Sequence, residues 1–340
     1  MTSKNLEANA ERASENKQKV IALLQKYGII LVLLVMIIGI SILEPKFLSS
    51  TNIFNVFTQS SIYGIMALGM TLVITSKGID LSVGSVLAFT GVIAASLGQV
   101  STATTLYFSN VYDLPVIVPI AAAIIVGGLV GAVNGGLIAF TGIPAFIATL
   151  GMMTIARGAT LLYTGGKPVS QLTPGMMFIG SKIGGIIPVP VIVYGIMIAI
   201  TWVLLGYTSF GKNIYAIGGN IKAAEISGVN VKKNLIWIYA FMGICAAVAA
   251  LVFAGRVGSV HPGAATGYEL TAIAATTIGG TSHYGGIGTV WGAVVGALVL
   301  GVLRNGMTLL GIEAYWQQIV EGCIIIVAVV IDMRKNARKR

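Results

Sequence analysis

The sequence predicts an all-α integral membrane protein with about ten transmembrane helices, and three observations support this fold class. Of its 340 residues, 56% are hydrophobic and only 9% are charged, whereas soluble domains carry about a quarter charged residues. Uncharged apolar runs recur at the length of about 20 residues that crosses a bilayer. The 44 glycines suit membrane helices, whose close packing favours small residues.

The positive charge is concentrated in three parts of the chain. The net charge is +10, and the lysines and arginines cluster in the segment 1–26, in the central segment 207–233 and in the last residues, 334–340. This distribution is typical of the cytoplasmic tails and loops of a membrane protein and excludes nucleic-acid binding as the explanation. We therefore expect both termini in the cytoplasm and an even number of spans. The start has no signal-peptide cleavage pattern and is predicted to be a cytoplasmic tail.

A single transmembrane domain, 27–333, is predicted between the two tails. Its first span ends at the sequence Glu44-Pro45-Lys46, and the mixed segment 47–59 is expected on the outer surface. The predicted spans are, in order, 27–43, 60–76, one ending near 98, two within 114–163 separated by Gly142 and Pro144, 189–206, 234–255, 269–282, 287–311 and 314–331.

The central segment 207–233 holds four lysines against one acid, so it cannot lie in hydrocarbon. Its middle predicts a short helix, with Asn220 as the N-cap and Gly228 as the stop. We expect the small residues Ala223, Ala224 and Gly228 to face a groove of a partner protein, with the hydroxyl of Ser227 beside them. An ordinary loop with one helical turn is the alternative, and the segment alone does not decide between them.

Glycine spacing and span number predict two features of the packing. The glycines of two ladders recur at every fourth residue, which places them on one helix face where backbones approach closely. The ladders are Gly127, Gly131 and Gly135, and Gly288, Gly292 and Gly296. The ten predicted spans form two successive sets of five, and two sets with an odd number of spans run in opposite directions, so any internal repeat is inverted. The stretches 75–89 and 260–274, which each place Gly and Ser or Thr before an apolar helix, are its candidate equivalents.

Several kinds of reactive site are missing from the sequence. His261 and His283 are the two histidines, and Gly280-Thr281-Ser282-His283 resembles the serine motif of intramembrane proteases. That mechanism needs a general base on a later span, and no histidine follows, so the protease class is excluded. No phosphate-binding Gly-x-x-x-x-Gly-Lys-Ser/Thr run occurs, and no cluster of metal ligands is present. The chain is predicted to be neither an enzyme nor an ATP-binding subunit.

Charged residues inside apolar spans usually mark transport pathways. Glu269 lies near the start of a span, where capping is its expected role. Arg157 and Arg304 lie near outer ends and are expected to snorkel to the surface. Glu321 lies well inside the last span, and two interpretations stay open: it pairs within the bundle, or it lines an aqueous path. So few acids argue against a carrier driven by protons or sodium.

Five long motifs together resemble one family, the membrane permease of bacterial ribose and galactose ABC importers. The resemblance runs in order from about residue 27 to the C-terminus. The motifs are ALGMTLVITSKGIDLSVGS (67–85), PAFIATLGMM (144–153), TSFGKNIYAIGGNIKAAEISGVNV (208–231), GYELTAIAATTIGGTSHYGGIGTVWGA (267–293) and AYWQQIVEGCIIIVAVVIDMRK (314–335).

The resemblance implies a bundle like that of type II ABC importers, which moves a monosaccharide into the cytoplasm across the bacterial cell (inner) membrane. It implies a second permease copy, a separate sugar-specific ATPase that uses ATP and Mg, and an extracytoplasmic sugar-binding protein. No cofactor is expected in this chain itself. The first half is more similar to ribose permeases, whereas FGKNIYAIGGN and YWQQIVEGCIIIVAVVID are more similar to methyl-galactoside permeases. The sugar therefore stays open.

The resemblance also implies roles for particular residues. The central segment becomes a coupling helix that docks on the ATPase, formed by Gly219, Asn220, Ala223, Ala224, Ser227, Gly228 and Val229. The fifth and tenth spans would line the path between two subunits, and the loop after the fifth span would form an outer gate. The implied path residues are Phe146, Thr149, Thr154, Gln317 and Glu321. Related permeases often carry Lys near position 321, where this chain has an acid.

Two alternatives belong to other classes of transport protein. One is an ion-coupled secondary sugar carrier that acts alone, and the other is a passive polyol channel. A carrier that acts alone has no use for a docking helix, and the sequence offers little chemistry for coupling to an ion gradient.

Overall fold

A computed structural model describes residues 28–337, and these fold almost entirely into helices. The helices are α1 (Gly28–Leu43), α2 (Ser50–Thr75), α3 (Val83–Leu97), α4 (Ile117–Thr141), α5 (Ala145–Thr164), α6 (Pro174–Phe178), α7 (Val189–Tyr207), α8 (Ser209–Gly219), α9 (Ile221–Ile226), α10 (Val231–Val257), α11 (Tyr268–Ile278), α12 (Val290–Leu309) and α13 (Ala314–Ala337). Four two-residue strands complete the structure: β1 (Val169–Ser170), β2 (Lys182–Ile183), β3 (Ile187–Pro188) and β4 (Ser259–Val260).

Each of the ten predicted spans coincides with a helix. Seven helices of the described residues are long and apolar enough to cross a membrane, namely α2, α4, α5, α7, α10, α12 and α13. Two shorter apolar helices are α1 and α3, and α11 has eleven residues. The predicted N-terminal tail and residues 338–340 lie outside the described residues, whereas 334–337 continue α13.

Most of the segment 47–59 is the first part of α2, and its position on the outer surface stays a prediction. Ser49 caps the helix by accepting a hydrogen bond from the Asn52 N–H at 3.4 Å. Polar side chains here bond to protein instead of water: the Thr58 hydroxyl donates to the Phe54 carbonyl at 2.7 Å, and Asn52 pairs with Asn305 at 2.9 Å. Other helices surround most of α2. Within this segment, buried residues such as Asn52 and Val56 alternate with exposed ones such as Ile53 and Phe57.

The helix packing repeats, and the equivalent helices α2 and α10 run in opposite directions as an inverted repeat requires, because Gly69 lies against Cys245 whereas Gly78, after α2, lies against Tyr239. Helices α2–α5 and α10–α13 form two groups. When α2, α3, α4 and α5 are matched in that order with α10, α11, α12 and α13, the two groups make equivalent contacts. The contact between α4 and α10 corresponds to the contact between α12 and α2. In the same way, the contact between α3 and α10 corresponds to the contact between α11 and α2. Helix α3 contacts α4 and α5 as α11 contacts α12 and α13. The stretches 75–89 and 260–274 occupy equivalent places, because each leads into the short helix of its group.

The first glycine ladder packs as predicted. Gly127 and Gly131 of α4 face the backbone of α10, where a Cβ atom would overlap the carbonyls of Gly243 and Tyr239. At Gly135 a Cβ would lie 2.6 Å from the Cα of Ile236. The absence of side chains thus lets the two helices touch along their backbones.

The second ladder is only partly a helix face. Gly292 and Gly296 of α12 lie against the backbone of Gly279 and Ala275 at the end of α11. Gly288 precedes the helix, which is capped by the hydroxyl of Thr289. The cap ends the ladder, because the backbone before it is not helical.

At one end of the bundle the long loops are joined to each other. Strand β1 pairs antiparallel with β4, so that Val169 faces Val260. The amide of Gln99 donates to the carbonyls of Ser170 and Thr105, both at 3.0 Å. These bonds tie the loops after α3, α5 and α10 into one layer.

Candidate functional site

The central segment contains two helices instead of one. Helix α8 is capped by Thr208, whose hydroxyl accepts from the Gly211 N–H at 3.2 Å. Helix α9 follows, and Asn220 caps it by accepting from the Ala223 N–H at 3.1 Å. The chain leaves α9 through Gly228, whose φ of 85° belongs to the left-handed region. The predicted cap and stop of α9 are confirmed, whereas α8 was missed.

The orientation expected for Ala224 was wrong. Its side chain is only 4% exposed and packs against Ile217 and Val231 of the same chain. The residue that projects outward is Ile226, at 88% exposure. Of the other implied coupling residues, Val229 is partly buried, and those that lie exposed are Gly219, Asn220, Ala223, Ser227 and Gly228. The exposed side of α9 therefore combines the charged Lys222 and Glu225 with the small Ala223, and the most exposed residue, Ile226, lies at the end of the helix.

The central segment is attached to the bundle through α8. Gly218 lies so close to the Thr75 carbonyl that a Cβ atom would overlap it. That carbonyl also accepts from the Gly286 N–H at 2.8 Å, and the Tyr215 hydroxyl donates to the Gly288 carbonyl at 2.7 Å. Helix α8 therefore contacts both the end of α2 and the loop before α12.

The implied path residues of α5 do not share one face. Phe146 and Thr154 are exposed. Thr149 is fully buried, and its hydroxyl accepts from the Leu81 N–H at 3.1 Å. Thr149 therefore holds the loop between α2 and α3 and does not face an open path.

A buried polar cluster joins four helices around Arg304 of α12. Its guanidinium forms an ion pair with Glu321 of α13 and donates to the hydroxyl of Tyr63 on α2. It also donates to the Thr271 hydroxyl of α11 at 3.1 Å, and Thr271 donates to the Glu321 carboxylate at 2.7 Å. The Arg304 guanidinium lies over the ring of Tyr63, 4.6 Å from its centre, and 6.0 Å from that of Tyr268. We call these five residues the Arg304 cluster.

The cluster favours the first of the two interpretations of Glu321, pairing within the bundle. Glu321 is 8% exposed and forms an ion pair with Arg304. The expectation that Arg304 snorkels was wrong for the same reason. Gln317, the other implied path residue of α13, is partly exposed and donates to the Ile312 carbonyl at 2.9 Å.

Arg157 and Glu269 lie where the two short helices α3 and α11 begin. Arg157, in the middle of α5, donates to the carbonyls of Pro262 at 2.6 Å and Ala264 at 2.9 Å, so it does not snorkel as expected. Glu269 accepts from the Gly267 N–H at 3.1 Å, which confirms its role as a cap. A Cβ atom at Gly84 of α3 would overlap the Glu269 carboxylate. The starts of the two short helices therefore meet inside the bundle.

A second contact holds α13 near its C-terminal end. The Asp332 carboxylate accepts from the His283 N–H at 3.0 Å and from the Ser282 hydroxyl at 3.3 Å. His283 in turn bonds Thr277 at 2.8 Å. Burial lowers the pKa of His283, while Asp332 acts in the opposite direction. Most of α13 is otherwise exposed, so the Arg304 cluster and Asp332 are its principal polar attachments among the described residues.

Sequence reasoning missed the partners that lie far apart in the chain. A signal was available in the polar residues of apolar spans, such as Tyr63 and Thr271, because buried polar groups require partners. Ser82 and Asn134 give the same signal, and their side chains bond at 3.0 Å. The sequence offers no means of pairing them, since either could bond many others.

Comparisons with known proteins assign the chain to one kind of membrane protein. The family described as "Branched-chain amino acid transport system / permease component" matches residues 52–329. Ribose import permease protein RbsC of Escherichia coli (strain K12) is 43% identical over 313 residues, covering 90% of this chain and 93% of that protein. RbsC of Bacillus subtilis (strain 168) is 41% identical over 316 residues, covering 92% and 94%.

A relative with another sugar in its name is equally similar. Galactose/methyl galactoside import permease protein MglC of Salmonella typhimurium (strain LT2) is 41% identical over 332 residues, covering 96% of this chain and 99% of that protein. No solved structure matches the chain significantly.

Proposed function

The chain belongs to the family of permease components of branched-chain amino acid transport systems. Within this family, we propose that it carries a monosaccharide of the ribose or galactose class into the cell. It is a multi-pass membrane protein and a permease subunit of an ABC importer. The observation that carries the proposal is its similarity, over nine-tenths or more of both chains, to ribose and galactose import permeases. The alternative of a secondary carrier acting alone was wrong, because the family consists of permease components of larger transport systems.

The proposed assembly has three further parts. A separate ATPase subunit hydrolyses ATP with Mg, a sugar-binding protein delivers the sugar from outside, and a second permease copy completes the path. The absence of a phosphate-binding run from this sequence supports the separate ATPase. The passive polyol channel is disfavoured, because a channel needs neither an energy source nor a delivery protein.

Helix α9 is proposed as the contact with the ATPase. It carries an exposed isoleucine, Ile226, at the tip of a polar segment that the positive-inside rule places in the cytoplasm. Its neighbour α8 rests on the ends of α2 and α12. Coupling requires that α9 contact the ATPase differently in the two states of the transporter. The rigid attachment of α8 supports this route from the ATPase to the bundle.

The path residues stay proposals of unequal strength. Phe146 and Thr154 lie on the exposed face of α5, and Gln317 is partly exposed on α13. A face of this kind suits a path between two copies, which would be weakly polar and partly aromatic. Thr149 and Glu321 contribute to such a path only indirectly, by positioning the loop before α3 and helix α13.

The test is a pair of matched substitutions. Ile226→Asp should weaken co-purification of the ATPase and abolish ATP-driven uptake, while the folded yield changes little, since exposed substitutions usually cost within about 0.5 kcal/mol. Ile186→Asp is the control for folded yield and ATPase co-purification, because Ile186 is 64% exposed and far along the chain from α9; uptake is not compared for it, since it lies in the loop of the implied outer gate. An intact complex with full uptake in Ile226→Asp would remove the support for α9 as the contact.

The sugar is tested separately. Vesicles containing the complete transporter are offered labelled ribose and labelled galactose, each with its own binding protein. Uptake of one sugar that depends on ATP identifies the class. ATP-dependent uptake of neither sugar, by a complex that still hydrolyses ATP, would contradict the sugar assignment while leaving the importer assignment intact.

A further inference from the structure

A groove lies beside the start of α10, between α8 and the turn that follows α9. Its volume is about 490 Å³. The residues that matter for its chemistry are Phe210, Asn213, Asn230, Lys233, Asn234 and Trp237. Its lining also includes Ser227, Gly228 and Val229 of the implied coupling segment, but not Ile226, the exposed residue proposed to contact the ATPase.

The charge of the groove favours an anion. Lys233 is the charged side chain among its lining residues, and the surrounding segment 207–233 carries four lysines against Glu225. The groove also opens at the first turn of α10, a helix of 27 residues, where the helix dipole is positive. A cationic ligand is therefore disfavoured.

Three asparagines supply neutral hydrogen-bonding groups to the same groove. Asn213 donates to the Asn234 side chain at 3.4 Å, and Asn234 donates to the Asn230 carbonyl at 2.8 Å. This chain of amides positions polar atoms beside Lys233. Such a set suits the oxygens of a phosphate group, which accept bonds from ammonium and amide donors.

The aromatic residues place the groove at the edge of the membrane. Trp237 lies one turn after Lys233 and is 58% exposed. Trp202 and Tyr207, near the end of α7, form an edge-to-face pair with ring centres 4.8 Å apart. Trp and Tyr concentrate at the level of lipid headgroups. The groove therefore has a basic, polar side and an aromatic, apolar side.

We propose that this groove binds the headgroup of one anionic phospholipid, with the phosphate at Lys233 and the asparagines. The glycerol and upper acyl chains then lie against Trp237 and Phe210. Basic pockets between membrane helices on the cytoplasmic side bind anionic headgroups in this way. The inference goes beyond the proposed transport function and does not depend on the ATPase or on the sugar.

The experiment measures lipid retained by the full chain, purified in detergent without its partners, by native mass spectrometry. Phosphatidylglycerol should be retained at one molecule per chain, and phosphatidylcholine much less. Lys233→Gln should reduce retention about fivefold, which corresponds to ~1 kcal/mol for one lysine at an anionic surface. Lys222→Gln is the matched control, since it removes the same charge from exposed α9 outside the groove, and it should retain the lipid fully.

A second measurement guards against a folding defect. Phosphatidylglycerol should raise the melting temperature of the wild-type protein but not that of Lys233→Gln, whereas inorganic phosphate should raise neither. Equal retention in Lys233→Gln and Lys222→Gln would overturn the proposal. It would also be overturned if phosphate alone reproduced the shift, or if Lys233→Gln weakened ATPase co-purification with lipid retention unchanged.

Discussion

Arg304 sits where α2, α11, α12 and α13 meet, and its surroundings explain how a full charge is tolerated inside the bundle. The Glu321 carboxylate neutralises it, while Thr271 and two tyrosine rings occupy its remaining sides. A buried ion pair is costly to break from one side, because the remaining charge has no partner. Glu321 is therefore a residue that holds α13 in place.

Replacing Glu321 tests this role at the level of one side chain. Glu321→Gln leaves Arg304 without a counter-charge, and we expect a loss of about 3–5 kcal/mol, the cost of removing one partner of a buried pair. The measurements are the folded yield in detergent and the melting temperature. Both should fall.

The control variants separate pairing from a general effect of lost charge. Glu313→Gln removes an exposed acid from the turn before α13 and should leave yield and melting temperature unchanged. Combining Glu321→Gln with Arg304→Met removes both charges and should restore much of the yield. Normal yield with altered transport in Glu321→Gln would instead favour the aqueous-path interpretation.

Features that depend on near neighbours could be predicted from the sequence, whereas distant partners could not. Asn220 as a cap and Gly228 as a stop act within a few residues of themselves, so local chemistry identified both. Arg157 bonds a carbonyl 105 residues away, and no local rule selects that partner. Ala224 shows that even the orientation of a residue within one helix was not predictable. Its small side chain fits a groove of a partner protein and the interior of this chain equally well.

At the scale of helices, the contact between α4 and α10 depends on the absence of side chains. Gly131 and Gly136 lie on the same helix, yet only Gly131 faces the backbone of α10. The spacing of the glycines predicted a close contact, but not which helix provides the other side. Only the structure identifies α10 as the helix opposite the glycines of α4, because several spans carry small residues and could have packed there.

The two glycines give an internal comparison. Gly131→Ala places a methyl group against the Tyr239 carbonyl and should cost roughly 1–3 kcal/mol, as overpacking of a tight interface does. Gly136→Ala meets nothing within 4 Å, and alanine is the better helix former. We expect thermal denaturation to show a lower melting temperature for the first variant and an equal or higher one for the second. The reverse order would contradict backbone contact at Gly131.

For the whole molecule, the ten apolar segments were predictable because hydropathy reports them directly. How deeply each segment is buried in the bundle could not be predicted, since α3 and α11 are short helices that their neighbours bury. The hydropathy of α2 also understated its length, because its first turns carry polar residues that bond within the protein, Asn52 to Asn305 of α12 and Thr58 to Phe54 of α2 itself. The inverted arrangement of the two helix groups is expected because α2 and α10 are five spans apart in the chain, an odd number that the span count from the sequence supplied.

The orientation of the molecule is tested by reporter fusions. Fusions at residue 5 and at residue 338 should both report a cytoplasmic location, because the basic residues cluster at the two ends and in the central segment. A fusion within the turn between β2 and β3, near Gly184, is the positive control for the outer side. An outer signal from either terminus would contradict the ten-span arrangement.

The tight seam between α4 and α10 also constrains how the protein is made. Helix α4 ends at Thr141 and α10 begins at Val231, so a ribosome adding 5–20 residues per second needs roughly 5 to 20 s to supply the partner. During that interval the glycine face of α4 meets lipid or the insertion machinery instead of α10. The nascent chain therefore passes through a state in which all six spans before α10 have been made, but the close contact between α4 and α10 is still missing.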